Sequence, residues 1–592
     1  MSTPGLRRRL VLALAGLTTV TLAAGLSVAP SEAAAKPKHK PKPFQLQLLA
    51  LNDFHGNLEP PGGSGGVITL PGGAVPPATV AAGGAAFLAT HLENLRAEAA
   101  ATGRPSITVA AGDLIGASPL ISAAFHDEPT IEALNLAGLD VASVGNHEFD
   151  EGYRELQRMA RGGCLDDGPE GEDNQNSCPD ETQPFTGADF RYLAANVKKT
   201  ATGKTILPAT SIKYVKGVKV GFIGMTLEGT PNIVTKAGVA GLEFTDEVET
   251  ANALIPKLRK QGVQTIVVLL HEGAFQTGTY DDCVGISGPA VEIAQNLHPE
   301  IDAVISGHTH QAYNCQIADP RGRQRLVTSA SSFGRLVTEV NLTVSRKSGD
   351  VLRGPSDAMN HIVTRDVPQH AGVAALVAKY KALVVPIESE VLGQVTPAQP
   401  VLRAPDASGE SQLGNLIADA QLNDPSVVNN GVEPVIAFMN PGGIRNDLIP
   451  DPVTGDVTYG AAFSVQPFNN FLVSMDMTGA EIETLLEQQW SGPNAAGPKI
   501  LQVSEGFTYT WTGTGTERVD PASIMLDGVV IDPAATYRVV ANSFLSDGGD
   551  GFAAFAAARN KLVGGLDIDA FAAYLEANSP YTPVATDRIT MG

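Results

Sequence analysis

A chain of 592 residues exceeds what one hydrophobic core serves, and 43% hydrophobic with 18% charged residues excludes a disordered chain, so two large globular domains are expected. The formal net charge of -22 sets it against a long polyanion and excludes nucleic acid as a first partner. A small phosphate substrate stays open, because bound divalent cations would reverse the field within one cleft.

Near the N-terminus stand Arg7-Arg8-Arg9, an apolar stretch over Leu10–Ala29 and the small-residue exit Ser31-Glu32-Ala33-Ala34-Ala35. This is the three-part pattern of an export signal over 1–35. An uncleaved membrane anchor is the alternative; the Thr and Gly content and the small-residue exit favour cleavage after Ala35, which leaves no stable anchor. Cleavage removes Arg7, Arg8 and Arg9 with only Glu32, so the mature protein is more acidic still. Residues 36–43, alternating Lys and Pro, read as an extended spacer.

From Phe44, short β-branched apolar runs alternate with helical stretches: Leu46–Leu51, Ile107–Ala111, Val141–Val144, Val218–Gly224, Thr265–Leu270, Ala303–Ser306 and Leu326–Ser329. The pattern is that of a layered α/β domain over 44–345, with Glu59–Gly84 and the acidic stretch Arg161–Asp189 as surface insertions. A helix is predicted over Pro368–Val385, with Val373, Leu376, Val377, Tyr380 and Leu383 on one stripe, inside a connector over 346–393. A second, smaller α/β domain over 394–592 follows, with helices around Leu413–Leu422 and Gly479–Gln489 and strands at Val435–Met439 and Tyr537–Ala541.

Four cysteines in an exported chain predict two disulfides. Three pairings are possible. Cys164–Cys178 is favoured because it closes the acidic loop, which leaves Cys283–Cys315 as the second.

Polar clusters follow directly on the apolar runs: Asp53-Phe54-His55, Gly112-Asp113, Gly145-Asn146-His147-Glu148, His271-Glu272 and Gly307-His308-Thr309-His310. One such residue at a strand end would be a cap or a solvated loop group. Five clusters in order, all with oxygen or imidazole donors, predict a site for two divalent cations. Two cations about 3.5–4 Å apart need a bridging carboxylate. Asp113 is assigned as that bridge, with Asp53, His55 and His310 on one cation and Asn146, His271 and His308 on the other. Zn, Mn, Co and Fe all suit these donors.

The series resembles the calcineurin-like metallophosphoesterases, and Leu51-Asn52-Asp53-Phe54-His55-Gly56 with Gly145-Asn146-His147-Glu148-Phe149-Asp150 is similar to their 5′-nucleotidase branch. The resemblance implies a four-layer αββα sandwich carrying these metal ligands, with His310 where some members have Gln. It also implies that His147 and Asp150 form a catalytic dyad. Hydrolysis would then proceed by in-line attack of a cation-activated water, without a covalent enzyme intermediate. No Walker-type glycine loop with its Lys is present.

The second region offers Asn440-Pro441-Gly442-Gly443-Ile444-Arg445, Gln466-Pro467-Phe468-Asn469-Asn470 and the Asn542–Phe552 segment. Two rings on separate loops, Phe468 and Phe544, can sandwich a flat base. These segments resemble the 5′-nucleotidase C-terminal domain. The resemblance implies that Phe468 and Phe544 stack the base, Asp550 accepts from ribose, and Asn440, Arg445 and Asn470 contact the nucleotide. The chain departs from that family where Ala407-Ser408-Gly409 stands before Glu410 in place of an Arg, and Arg403 is the substitute. A large domain rotation about the connector is also implied.

The expected function is therefore secreted hydrolysis of nucleoside 5′-phosphates. A 2′,3′-cyclic-nucleotide phosphodiesterase and a UDP-sugar pyrophosphatase would use the same metals. A non-catalytic surface binding protein is the reading from a different class, and the intact ligand set argues against it. A purple-acid-type phosphatase would need a Tyr near Asp113, which Gly112-Asp113-Leu114-Ile115-Gly116 lacks.

Overall fold

The architecture follows from strands that are buried on both faces. The computed structural model describes residues 42–72, 78–167, 175–180, 182–235, 237–513 and 517–592; the expected export signal and most of the Lys/Pro spacer lie outside them. Two six-stranded sheets form the N-terminal half. In the first, Phe44–Leu51, Ser106–Ala111, Val141–Ser143 and Arg191–Leu193 run parallel, and the antiparallel pair Leu336–Val344 and Asp357–Ile362 extends the edge beside Phe44–Leu51. In the second, Val218–Thr226, Thr265–His271, Ala303–Ser306 and Gln324–Ala330 run parallel, with an antiparallel strand on each edge.

Alternation along each strand sets the layers. Leu46, Leu48 and Ala50 of the first sheet meet Val220, Phe222, Val267 and Leu269 of the second in one core. The residues in between, Leu49 and Leu51, pack outward on helices Ala85–Ala101 and Glu128–Ala137. On the far side Ile223, Met225, Val268 and Leu270 pack on helices Glu247–Lys260 and Pro289–Asn296. The order helix, sheet, sheet, helix is the sandwich that the family resemblance implies. Both disulfides have the expected pairing, Cys164 with Cys178 and Cys283 with Cys315.

The connector helix spans Ala371–Glu388, starting later than expected because His370 caps it through Nδ1, which accepts from Val373 N at 3.3 Å. It also runs past Val385 and carries Pro386 in its last turn. Its inward stripe is Val373, Val377, Tyr380 and Val384, spaced at four, three and four residues. Leu383, expected on that stripe, is 42% exposed, since it lies about 280° round the helix from Val373 at ~3.6 residues per turn. The helix packs on Ala85–Ala101 and Glu128–Ala137 of the first half and on Tyr459–Val465 of the second.

The C-terminal half is built on a five-stranded sheet in the order Gln502–Val503, Ile436–Met439, Thr536–Asn542, Phe471–Thr478, Arg559–Leu566. One face carries Ile436, Phe438, Val473, Met475 and Val539 against helix Gly479–Glu487. The other places Ala437, Leu472 and Val540 under helices Gln412–Asn423 and Asp567–Ala577. The second strand is parallel to the third and antiparallel to the first, and the fourth antiparallel to the third. Hence the segments after Met439 and Asn542, and those before Gln502 and Phe471, all emerge at one end of the sheet.

Arg588 ties this half together. Its guanidinium donates to both oxygens of Asp419, at 2.7 and 2.8 Å, and to the Val503 carbonyl at 2.8 Å, all of it buried. Arg588→Met leaves the buried Asp419 carboxylate without its countercharge, with only the Glu505 amide still donating to it at 2.7 Å, and is expected to cost about 3–5 kcal/mol, read as a lower urea midpoint for this half. A loss below about 1 kcal/mol would show that the pair is dispensable.

Candidate metal centre and substrate cavity

Every proposed metal ligand lies at or just past the C-terminal end of a parallel strand, where side chains of a layered α/β fold converge. Five of them, Asp53, His55, Asp113, His308 and His310, have φ between 46° and 71°. Non-glycine residues rarely adopt this left-handed conformation, and it persists only where surrounding structure holds it. Here the backbone turns sharply off each strand, so that two residues separated by one, such as Asp53 and His55, aim at the same point. Gly112 and Gly145 permit the approach of neighbouring turns: a Cβ on Gly145 would stand 2.2 Å from Asp113 Oδ1, and one on Gly112 2.6 Å from His271 Nδ1.

The structure brings all seven together. Asp53, His55 and His310 form one group, and Asp113, His271 and His308 another; Asp113 also groups with His55 and His147. Asp113 Oδ2 lies 3.0 Å from His271 Nε2 and 3.7 Å from His55 Nε2, between the two sets. Asn146 Oδ1 stands 3.1 Å from His271 Nε2 and 3.0 Å from His308 Nδ1. His310 Nε2 stands 3.1 Å from His55 Nε2 and 3.5 Å from Asp53 Oδ1.

The chemistry of these contacts fits cations. His271 Nδ1 must donate to the Ala111 carbonyl at 2.8 Å, and His55 Nδ1 to the Gly116 carbonyl at 2.8 Å. In the neutral ring that leaves each Nε2 with a lone pair, facing other acceptors. Burial holds His55 and His308 down to about 3 and His310 well below the ordinary range, so three imidazoles stay neutral and available as donors. Burial would lower His271 too, but Asp113 and Asp53 overcome it and push it to about 10: the local field demands positive charge there. Burial pushes Asp53 up to about 7.

Surrounding groups fix the ligands. Asn52 donates to Asp53 Oδ2 and to the Ser331 carbonyl, both at 2.6 Å. Glu148 accepts from the amides of Asp113 at 3.0 Å, of Leu114 at 2.8 Å and of Gly145, which locks the two turns against each other. That positioning role of Glu148 has no signal in the sequence beyond its place after His147.

His147 is adjacent to the cluster: its amide donates to Asp113 Oδ1 at 2.9 Å and its Nδ1 pairs with Asp150 Oδ2 at 2.8 Å. Burial disfavours the charged ring, yet Asp150 and Asp113 together raise its pKa. The predicted dyad is thus formed, with Nε2 left for the cavity.

That cavity, about 260 Å³, is lined from the N-terminal half by Asn146, His147, Asp150 and His308, and from the C-terminal half by Asn440, Arg445, Phe468, Asn470, Phe544 and Asp550. Both rings are half-buried, neither in the core nor fully exposed. The Phe468 ring is stacked over His147 at 5.7 Å and 18°, with the Arg445 guanidinium 5.6 Å from its centre. Asn470 donates to Asp567 at 3.3 Å. Arg403 donates to the Ile444 carbonyl and lines, with Arg445 and Arg335, an adjoining cavity of about 700 Å³ that shares His147 and His308. Lys499, and Ile233, Val234 and Thr235 from the N-terminal half, also line the cavity without having been read from the sequence, and Asn542 joins them from a segment read only for Phe544 and Asp550.

The calcineurin-like phosphoesterase family model matches residues 46–312, and the 5′-nucleotidase C-terminal domain model matches 391–557. The chain is 35% identical to the cell wall protein Lmo0130 of Listeria monocytogenes, over 94% of this chain and 69% of that protein. It is 31% identical to the endonuclease YhcR of Bacillus subtilis, over 88% of this chain but only 39% of that protein's length. Among solved structures, the 5′-nucleotidase precursor of Thermus thermophilus aligns with a TM-score of 0.71 at 26% identity, covering 93% of this chain and 99% of that one. The chain belongs to the calcineurin-like phosphoesterases that carry a 5′-nucleotidase C-terminal domain, and by that membership is a phosphoric ester hydrolase.

Proposed function

We propose that the chain is an exported 5′-nucleotidase that hydrolyses nucleoside 5′-monophosphates at a site holding two divalent cations. The observation that carries this reading is a single cavity in which two of the proposed metal ligands, Asn146 and His308, with His147 beside them, face two half-buried phenylalanines. Such a cavity suits a substrate with phosphate at one end and a flat base at the other. Bound at the seven ligands, divalent cations would supply an activated water and neutralise charge on the phosphoryl oxygens. The protein's own residues do the rest. Arg445 offers a guanidinium to the phosphate from the opposing half. Phe468 and Phe544 grip the base, and Asp550 accepts from the sugar. His147, oriented by Asp150, hands a proton to the departing sugar oxygen. Export is supported by the N-terminal pattern and by two disulfides, which suit an oxidising compartment.

The test is a screen of AMP, a UDP-sugar and 2′,3′-cyclic AMP with Mn, Co, Zn or Mg after removal of bound metal by a chelator. AMP is expected to be cleaved fastest, with activity restored only by added cation. In the doubly substituted F468A/F544A protein, the preference for AMP over p-nitrophenyl phosphate in kcat/KM should fall by about 10–100-fold, the value of two stacking contacts at the lower end of their range. Faster cleavage of the cyclic or diphosphate ester would overturn the assignment of substrate.

A further inference from the structure

We infer that Lys499 is a specificity-determining residue that, paired with Asp550, selects a sugar with a vicinal diol, so that ribonucleotides are preferred to 2′-deoxyribonucleotides. The inference rests on the nucleotide reading above.

Lys499 precedes the edge strand Gln502–Val503 and reaches the cavity from the same end of the sheet as Asn440, Asn542 and Phe468. Its ammonium donates to Asp550 Oδ1. The other carboxylate oxygen, Oδ2, accepts from Asn440 Nδ2 at 2.9 Å, and Asn440 Oδ1 in turn accepts from Asn542 Nδ2 at 3.1 Å. Asp550 itself is held at φ 55°, with its carbonyl accepting from Asn494 Nδ2 at 2.8 Å. Its carboxylate is therefore fixed from several sides and buried, whereas the lysine side chain is 36% exposed toward the cavity.

Each carboxylate oxygen has a second lone-pair direction, and an ammonium has three N–H groups of which Asp550 takes one. The pair thus offers an acceptor and a donor side by side. A hydroxyl needs both, because its hydrogen donates while its oxygen accepts, and two adjacent hydroxyls match the pair twice over. A carboxylate alone would satisfy only the hydrogens. The pair is also neutral overall, so it favours an uncharged diol over a phosphate on the same sugar, which would meet the Asp550 charge as closely as that of Lys499.

The experiment compares kcat/KM for AMP, 2′-deoxy-AMP and adenosine 3′,5′-bisphosphate in the cation-loaded full chain, as wild type, Lys499→Met and Lys499→Arg. The wild type should prefer AMP to 2′-deoxy-AMP by at least about tenfold, the worth of one hydrogen bond to a charged group. In Lys499→Met that ratio should fall to within about threefold of unity, and Lys499→Arg, which keeps charge and donors, should retain part of it. Equal losses on both substrates would reduce Lys499 to a prop for Asp550 and overturn the inference. A wild-type preference for the 3′,5′-bisphosphate would overturn it by showing an anion site. Absence of cleavage of any nucleotide by the wild type would remove the nucleotide reading and this inference together, whereas cleavage of AMP without a shift in the ratio removes this inference alone.

Discussion

Asp113→Asn is expected to lose on the order of a thousandfold or more in kcat/KM on nucleoside 5′-monophosphates, equivalent to about 4 kcal/mol of transition-state stabilisation, and to bind fewer than two divalent cations. The carboxylate is 2% exposed and sits where the two ligand groups meet, 3.0 Å from His271 and 3.7 Å from His55. Asn preserves the shape and one acceptor but removes the charge that two neighbouring cations would share. His310→Ala is the informative contrast. It removes a ligand from one group only, so it should weaken one cation while the second remains, with a smaller loss of rate. Cation content measured by elemental analysis on both variants separates these outcomes. Full metal content and undiminished hydrolysis in Asp113→Asn would show that Asp113 neither bridges cations nor serves the reaction, and would overturn the assignment of this site.

The central strands of the N-terminal half were legible because each is an apolar run buried on both faces, whereas half-exposed strands such as Thr210–Val215 and Asp357–Ile362 carry no such run; the candidate ligands were legible because each stands directly after a buried run. What linear pattern could not reveal is how the chain turns there. Asp53, His55, Asp113, His308 and His310 take left-handed backbone conformations, which Asp and His adopt more readily than most residues but which no linear pattern places at these positions; the need for them arises only when two sheets place their strand ends side by side. Lys499 was invisible for a related reason. It follows Gly497-Pro498 in a stretch without periodicity, and its significance comes from Asp550, which is distant in sequence and adjacent only after the sheet forms. In the connector helix Leu383 and Val384 are equally apolar, and only the accumulated turn of the helix decides that Val384 faces inward. The disulfide pairing was readable because Cys164 and Cys178 bracket one loop, which left a single partner for Cys283.

Replacement of His147 by Asn is expected to lower kcat on AMP by about a hundredfold to ten-thousandfold, the range for loss of a positioned general acid. The argument concerns where the proton goes. Hydrolysis of a nucleoside 5′-phosphate expels the sugar oxygen, whose conjugate acid is weak, so the bond breaks readily only if a proton arrives as it lengthens. His147 Nδ1 is engaged by Asp150 at 2.8 Å and its amide by Asp113 at 2.9 Å, which fixes the ring and leaves Nε2 to serve the cavity. A p-nitrophenolate leaves without such help, so p-nitrophenyl phosphate should lose less than about tenfold in the same variant. Asp150→Asn keeps the ring but not the charge that orients it, and should fall between the wild type and His147→Asn on AMP. If both esters instead lose rate equally in His147→Asn, the residue acts on the phosphoryl group or on the shape of the Asp113 turn, because neither of those roles can distinguish a good leaving group from a poor one.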